Sequence, residues 1–279
     1  MTQALIPHAV GAGRVRRQRT LSIRNVSKHF SVKDESLHVL DRVSFDIQPG
    51  EFVSIVGSSG CGKSTLLRLI VGLDGEYQGD ILLGGERIQG TSLDRGVVFQ
   101  DHRLLPWLTI AENVGLGLEN SPLSRKDRDR TVQEHLELVG LVGFEKVFPH
   151  QLSGGMAQRA AIARGLVNCP EVLLLDEPLG ALDALTRYYL QDELLRIWRQ
   201  EKTTTILITH DVEEAIYLSD HVIVLQPRPG RVRDVISVKL AHPRDRLSHA
   251  FADIKRELLE RMAIPNPGAP EDPGLSGNI

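Results

Sequence analysis

Apolar and polar residues alternate along residues 21–30 (LSIRNVSKHF) and again along residues 39–47 (VLDRVSFDI), the two-residue period of strands with one buried face. The polar stretch SVKDESLH (31–38) separates them, and QPG turns the chain into EFVSIVG (51–57), so three strands are expected before the first glycine-rich loop. Beyond that loop, KSTLLRLIVGL sets Leu66, Leu67, Ile70 and Val71 on one helical face, DGEYQGDILLGGERI reads as a hairpin, and RGVVFQ as a further strand. From about residue 101 to 165 the pattern turns helical. Ser124 with Asp127 starts one polar helix and Ser153 starts another, which predicts an inserted helical subdomain. EVLLLDE and TTILITH are then short and solidly apolar, as strands buried on both faces of a parallel sheet are, with the helical segment ALTRYYLQDELLRIWRQ between them. HVIVLQ and RVRDVISVKL supply two more strands and FADIKRELLERM a last helix, while the proline-rich residues 265–279 are expected to be disordered. The whole predicts an α/β fold with a mixed sheet, an antiparallel β part and a helical insert.

Composition changes this picture little. The 279 residues are enough for one large α/β domain or two of typical size, and the formal charge of −3 gives no global attraction to nucleic acid or an anionic membrane. No apolar run approaches the roughly 18–20 residues needed to span a bilayer, and residues 1–20 contain no apolar signal core, so a reducing cytosol is the expected compartment. Cys61 and Cys169 supply neither a disulfide framework nor a metal-ligand spacing. Arg14, Arg16, Arg17 and Arg19 form a basic cluster, expected to be a solvated, flexible tail over residues 1–20.

The chemistry lies in local motifs. GSSGCGKST (57–65) fits GxxxxGK[ST] between a predicted strand and a helix, the setting that distinguishes a phosphate loop from a chance match. Gly57, Gly60 and Gly62 let backbone N–H groups approach phosphate oxygens, Lys63 would bridge the β- and γ-phosphates, and Ser64 would ligate Mg²⁺. Cys61, near a helix N-terminus, either packs or is acidified there, and packing is the favoured reading. VLLLDE ends in two carboxylates at the carboxyl end of a buried strand, where open α/β sheets bind ligands. Asp176 would hold Mg²⁺ and Glu177 would activate the attacking water. His210 and Gln100 end two other strands at the same edge, as a γ-phosphate or water contact and a Mg²⁺ ligand respectively.

A second anion site comes later in the chain, in LSGGMAQ. Ser153 caps a helix while the N–H groups of Gly154 and Gly155 and the helix dipole favour a negative ligand; a plain Ser-Gly-Gly turn is the alternative. The phosphate loop already surrounds one face of a nucleotide. The second site would therefore close on the nucleotide of another copy, in a two-fold pair that ATP holds together and hydrolysis releases.

In this order the motifs resemble the ATP-binding subunit of ABC transporters over residues 21–240. The resemblance implies a P-loop NTPase of ABC type with a RecA-like core. It makes Gly57, Ser58, Ser59, Gly60, Cys61, Gly62, Lys63, Ser64 and Thr65 the Walker A loop, Gln100 the Q-loop and VLLLDE Walker B. Ser153, Gly154, Gly155 and Gln158 become the signature facing the other copy's ATP, Asp183 the D-loop residue, His210 the H-loop histidine and Phe30 the adenine-stacking aromatic. Met156 stands where glutamine is frequent. DHRLLPWLTIAENVGLGL, LDEPLGALDALTR and PRPGRV are similar to the ATPases of nitrate, taurine and aliphatic-sulfonate importers, nearest the sulfonate members. Resemblance to that branch implies a homodimer using ATP and Mg²⁺ on the cytoplasmic face of the inner membrane, beneath two permease subunits fed by a periplasmic solute-binding protein. No nucleic-acid partner is implied, the rival being a soluble ABC protein that acts on nucleic acid. Leu104, Leu105, Trp107 and Leu108 would be either a permease-docking patch or subdomain core. Residues 241–264 would be a helical extension.

Overall fold

The computed structural model describes residues 18–32 and 35–263. The basic residues Arg14, Arg16 and Arg17 and the proline-rich residues 265–279 lie outside them. Strand β1 (Leu21–Val32) pairs antiparallel with β2 (Glu35–Ile47), and the ladder runs through His29↔His38, Phe30↔Leu37 and Ser31↔Ser36. On either side of residues 33 and 34, the polar stretch that marked a break thus keeps pairing, down to Val32↔Glu35. Ser31, Ser36 and Leu37 are exposed, so apolar alternation is not required there. Next come β3 (Phe52–Val56), the glycine-rich loop and α1 (Lys63–Val71), then β4 (Gln78–Leu83), β5 (Glu86–Arg87) and β6 (Arg95–Val98). The helical insert holds α2 (Ile110–Gly115), α3 (Arg125–Leu138) and α4 (Gly154–Leu166), with α3 capped by Ser124 as expected. The chain closes with β7 (Val172–Asp176), α5 (Ala184–Glu201), β8 (Thr204–Ile208), α6 (Val212–Leu218), β9 (His221–Gln226), β10 (Arg231–Ser237) and α7 (His249–Ala263).

Two sheets result. One is antiparallel, in the order β2-β1-β4-β5; the other runs β10-β9-β3-β8-β7-β6, parallel from β9 to β6 with β10 antiparallel at its edge. The apolar runs of the second sheet are explained by burial on both faces. Phe52, Leu173, Leu175, Leu207 and Val222 point into a core shared with the helices, while Val53, Leu174, Ile206 and Ile223 point into a core closed by α1 and the antiparallel sheet. The helical insert has no separate core. Its α4 lies directly on β6: a methyl placed on Gly96 would stand 2.4 Å from the Gly165 carbonyl oxygen.

One expectation fails. Arg19, assigned to a solvated tail, has a largely covered side chain, with Nε and Nη2 donating to Glu171 at 2.8 Å and further bonds to Asp94 and Glu86 at 3.0 Å. The Glu171 bond holds its pKa above the ordinary arginine value. Three acids from separate segments make that position a site of attachment, which composition alone does not disclose.

Candidate functional site

β3 ends against the glycine-rich loop because nothing larger fits. A methyl on Gly57 would stand 2.5 Å from the Leu225 carbonyl oxygen and 2.7 Å from Cys61 Sγ, and one on Gly62 would meet Leu40 Cδ2 at 2.6 Å. Gly60 and Gly62 have φ of +78° and +94°, the left-handed region that glycine adopts freely. Gly62 caps α1 without a side-chain bond, which leaves the first helical N–H groups directed at the loop. Lys63 is buried and its Nζ donates to the carbonyls of Gly57 at 2.9 Å and Ser58 at 3.2 Å, so its charge lies inside the loop. Ser58, Ser59, Gly60 and Ser64 are exposed and Thr65 is partly covered. Cys61 is fully buried, and burial pushes its thiol pKa up against the opposing pull of Lys63, so it packs and is not acidified.

At the adjacent strand ends, Ser64 Oγ donates to Asp176 Oδ1 at 3.4 Å and His210 Nδ1 lies 3.1 Å from Glu177 Oε2. Burial raises the Asp176 pKa and repulsion from Glu177 adds to it, while Ser64, Lys63 and Arg103 oppose. Glu177 has φ of +45°, held by its N–H to the Ile208 carbonyl at 2.9 Å and by the Gly180 N–H to its own carbonyl at 3.2 Å. Gln100 is exposed at the same edge: a methyl on Gly180 would be 3.5 Å from Gln100 Nε2 and 3.8 Å from Glu177 Oε2. Phe30 is half-buried, with Lys28 Nζ 4.7 Å from its ring centroid, and it pairs with Leu37 two residues before the strand segment that meets Gly62. A fully enclosed core position does not describe it.

The LSGGMAQ segment, read as a second anion site, stands apart. Ser153 Oγ accepts the Met156 N–H at 3.3 Å, and Ser153 and Gly154 are exposed. Gly155 is buried, where a methyl would come 2.9 Å from Thr186 Cγ2. A groove of about 440 Å³ beside Ser153 is lined by Met156, Arg159, Leu185, Tyr189 and Glu193, and by no phosphate-loop residue. Gln158 departs from the expectation: it is only 3 % exposed, with an amide nitrogen sealed without an acceptor among the described residues. Its side chain is therefore packed beneath the helix and does not share Ser153's surface. Asp183 caps α5, its Oδ1 accepting the Thr186 N–H at 3.0 Å, and the Thr186 bonds hold its pKa low. The LLPWL segment splits: Leu104 is core, Leu105 and Leu108 are partly covered, and Trp107 is 68 % exposed.

A model of the ABC transporter family matches residues 40–180 of this chain. The chain belongs to the ABC transporter family. The aliphatic sulfonates import ATP-binding protein of Bacillus cereus is 49 % identical over 243 residues, 87 % of this chain and 96 % of that protein. Among solved structures, the dimeric ABC transporter cassette MJ0796 matches with a TM-score of 0.69 and 33 % identity, covering 79 % of this chain and 100 % of the cassette. Its dimeric post-hydrolysis form, bound to ADP and phosphate, matches with a TM-score of 0.68 and 32 % identity over the same shares. This chain is thus an ABC ATPase, and its mixed sheet and helical insert are the ABC cassette fold.

Sequence reasoning missed the supports of the ABC ATPase site. Thr209 and Asp211 flank His210 in the chain, Glu214 accepts a bond from Thr209, and Arg187 reaches Asp211 from α5. Asp211 before VEEA carried a readable helix-cap signal. Arg187 carried none, because its partner is distant in sequence.

Proposed function

We propose that this ABC ATPase powers import of aliphatic sulfonates, as a homodimer on the cytoplasmic face of the inner membrane beneath two permease subunits fed by a periplasmic binding protein. The Glu177–His210 pair at 3.1 Å, beside Asp176 and Ser64, carries the catalytic part of the reading. Lys63 would neutralise the β- and γ-phosphates. Ser64, Asp176 and Gln100 offer a hydroxyl, a carboxylate and an amide oxygen, a hard donor set suited to Mg²⁺, which takes few protein ligands and completes its shell with phosphate and water. When bound, the ion would supply charge neutralisation at the transferring phosphate. Among the described residues no group of three or more His, Cys, Asp or Glu could hold a metal, so an all-protein cage is not the alternative.

Glu177 would accept a proton from water as the water oxygen bonds to the γ-phosphorus and the bond to the β–γ bridging oxygen breaks. With Nδ1 protonated, His210 would donate to Glu177, orient that carboxylate and present Nε2 toward the water or phosphate. Ser153, Gly154 and Gly155 of the second copy would close the site from the other side, with Asp183 in the loop between the copies and Phe30 under the adenine.

Support for the membrane partner comes from the surface. No helix among the described residues is long and apolar enough to cross a membrane. An open groove of about 620 Å³ between α2 and α3, lined by Leu108, Ala111, Leu116, Arg128 and Val132, lies in the segment that also exposes Trp107. A cytoplasmic permease helix suits that groove. The sulfonate assignment is supported by the name of the Bacillus cereus relative.

Glu177→Gln is expected to slow ATP hydrolysis by about 10²- to 10⁴-fold while retaining ATP binding. Near-normal turnover would remove Glu177 from its role. Growth of a deletion strain on an alkanesulfonate as sole sulfur source tests the solute: the intact chain restores it and Lys63→Ala does not. Normal growth of the deletion strain, with no second importer present, would overturn the sulfonate reading.

A further inference from the structure

Glu177 and His210 come from different strand ends, and each leads into its own helix. From Glu177 the chain passes through residues 178–183 into α5, and from His210 it passes into α6. One side chain rejoins the two branches. Arg187, in the first turn of α5, donates from Nη1 to Asp211 Oδ2 at 3.2 Å and from Nη2 to the Leu182 carbonyl at 3.2 Å. Its fork thus grips the turn after His210 and the loop after Glu177 together.

The turn itself is tightly bonded. Asp211 Oδ1 accepts the N–H groups of Glu213 at 2.9 Å and Glu214 at 3.1 Å, capping α6. The Asp211 N–H donates to Thr209 Oγ1 at 3.0 Å, and that hydroxyl donates to the buried Glu214 carboxylate. Both neighbours of His210 are pinned, yet its own ring is 66 % exposed and bonds only Glu177 among the described residues. The ring's direction is therefore set by its turn. Asp211 is where that turn is tied to α5.

We infer that Arg187 is a positioning residue for ATP hydrolysis, holding the His210 turn in register with Glu177 through Asp211. Covalent chain and hydrogen bonds make a closed ring: Glu177, the loop 178–183, Arg187, Asp211, His210 and back to Glu177. Besides Arg187 and the direct Glu177–His210 contact, the two branches are joined by the β7–β8 ladder, by the Glu177 N–H bond to Ile208 and, further along the helices, by the Tyr217 hydroxyl donating to Asp192; of these, only Arg187 holds Asp211. A displacement of about 1 Å at such a pair is enough to cost on the order of 10²-fold in rate.

The inference rests on the ATPase reading and is tested with the full chain. Steady-state hydrolysis and equilibrium binding of a fluorescent ATP analogue are measured for wild type, Arg187→Ala, Arg187→Lys, Asp211→Asn and the Arg187→Ala/Asp211→Asn double variant. Asparagine keeps the helix-capping oxygen of Asp211 but can turn an amide N–H₂ toward the guanidinium. Arg187→Ala and Asp211→Asn are each expected to lower kcat by about 10- to 100-fold with nucleotide affinity changed less than about twofold, and the double variant to be no slower than the worse single. Arg187→Lys, which keeps charge but loses the fork, should fall between wild type and alanine, and stands in if the alanine variant does not fold. Wild-type kcat in the Arg187 variants, or losses that multiply in the double variant, would overturn the role. Absence of hydrolysis by wild type would instead overturn the ATPase reading beneath it.

Discussion

Glu177 carries its carboxylate on a left-handed backbone with φ of +45°, a conformation that costs a non-glycine residue about 1–2 kcal/mol. Two backbone bonds hold it there, and the result is a carboxylate facing His210. Glu214 presents the opposite situation, a carboxyl almost fully enclosed, with one oxygen bonded by Thr209 and the other without a partner among the described residues. Burial raises its pKa from the ordinary 4.5 to about 7; Asp211 and Glu177 push the same way, and Thr209 and Arg187 oppose. Since the folded state binds this proton more tightly than the unfolded chain, the resulting stability is complete below about pH 4.5 and is lost as pH rises through about 7. Thermal melts of wild type and Glu214→Gln, which mimics the protonated form, should diverge with pH. The variant is expected to gain about 3 kcal/mol relative to wild type between about pH 5 and pH 8.5; a constant difference would show that Glu214 does not titrate in this range. The glycine-rich loop and the two acids ending β7 were legible because they are defined by neighbours in sequence. Glu214 was not, as its burial depends on how α6 meets the sheet.

Among the elements, the contact of α4 with β6 decides how the helical insert sits. Gly165 faces Val98 and Leu173, and Gly96 faces the Gly165 carbonyl, so backbone meets backbone with no room for a side chain. Gly96→Ala is expected to destabilise the protein by about 1–3 kcal/mol, as overpacking does, because the atom in its way is a main-chain oxygen. Gly75→Ala, with open space around it and no left-handed backbone, serves as the control in chemical denaturation. Equal stability of the two variants would mean that α4 shifts freely on the sheet. Two helix starts were legible, Ser124 and Ser153 each accepting the expected N–H bond, whereas Asp183, expected only as the D-loop residue, is found to cap α5 as well. The break at residues 31–38 was misleading, since a hairpin that projects from the core needs no apolar pattern to keep pairing.

For the whole molecule, the proposal that Ser153 and its glycines face the nucleotide of a second copy makes a direct prediction, and the matched MJ0796 cassette is itself dimeric. Ser153→Arg should abolish hydrolysis while leaving nucleotide binding by the isolated chain nearly intact, because the groove beside Ser153 is lined by no phosphate-loop residue. Loss of binding by the monomer, measured by equilibrium titration, would place both sites on one nucleotide and remove the head-to-tail arrangement. At the opposite end of the sheet Arg19 ties the start of β1 to Glu171, Asp94 and Glu86, joining the two sheets by charge as well as by their shared apolar core.

What the sequence determined by itself is whatever short-range chemistry suffices to encode: the phosphate loop with its glycines, the strand-terminal acids, the helix caps, and strands apolar on both faces. Tertiary structure alone decided that Glu177 meets His210 across 33 residues, that Arg187 reaches Asp211 across 24, and that Arg19 reaches Glu171 across 152. It also placed Leu104 and Gln158 inside while leaving Trp107 outside. A spacing rule describes neighbours along the chain, but burial and the pairing of distant charges depend on which faces pack together, and that is fixed only when the sheets and helices have assembled.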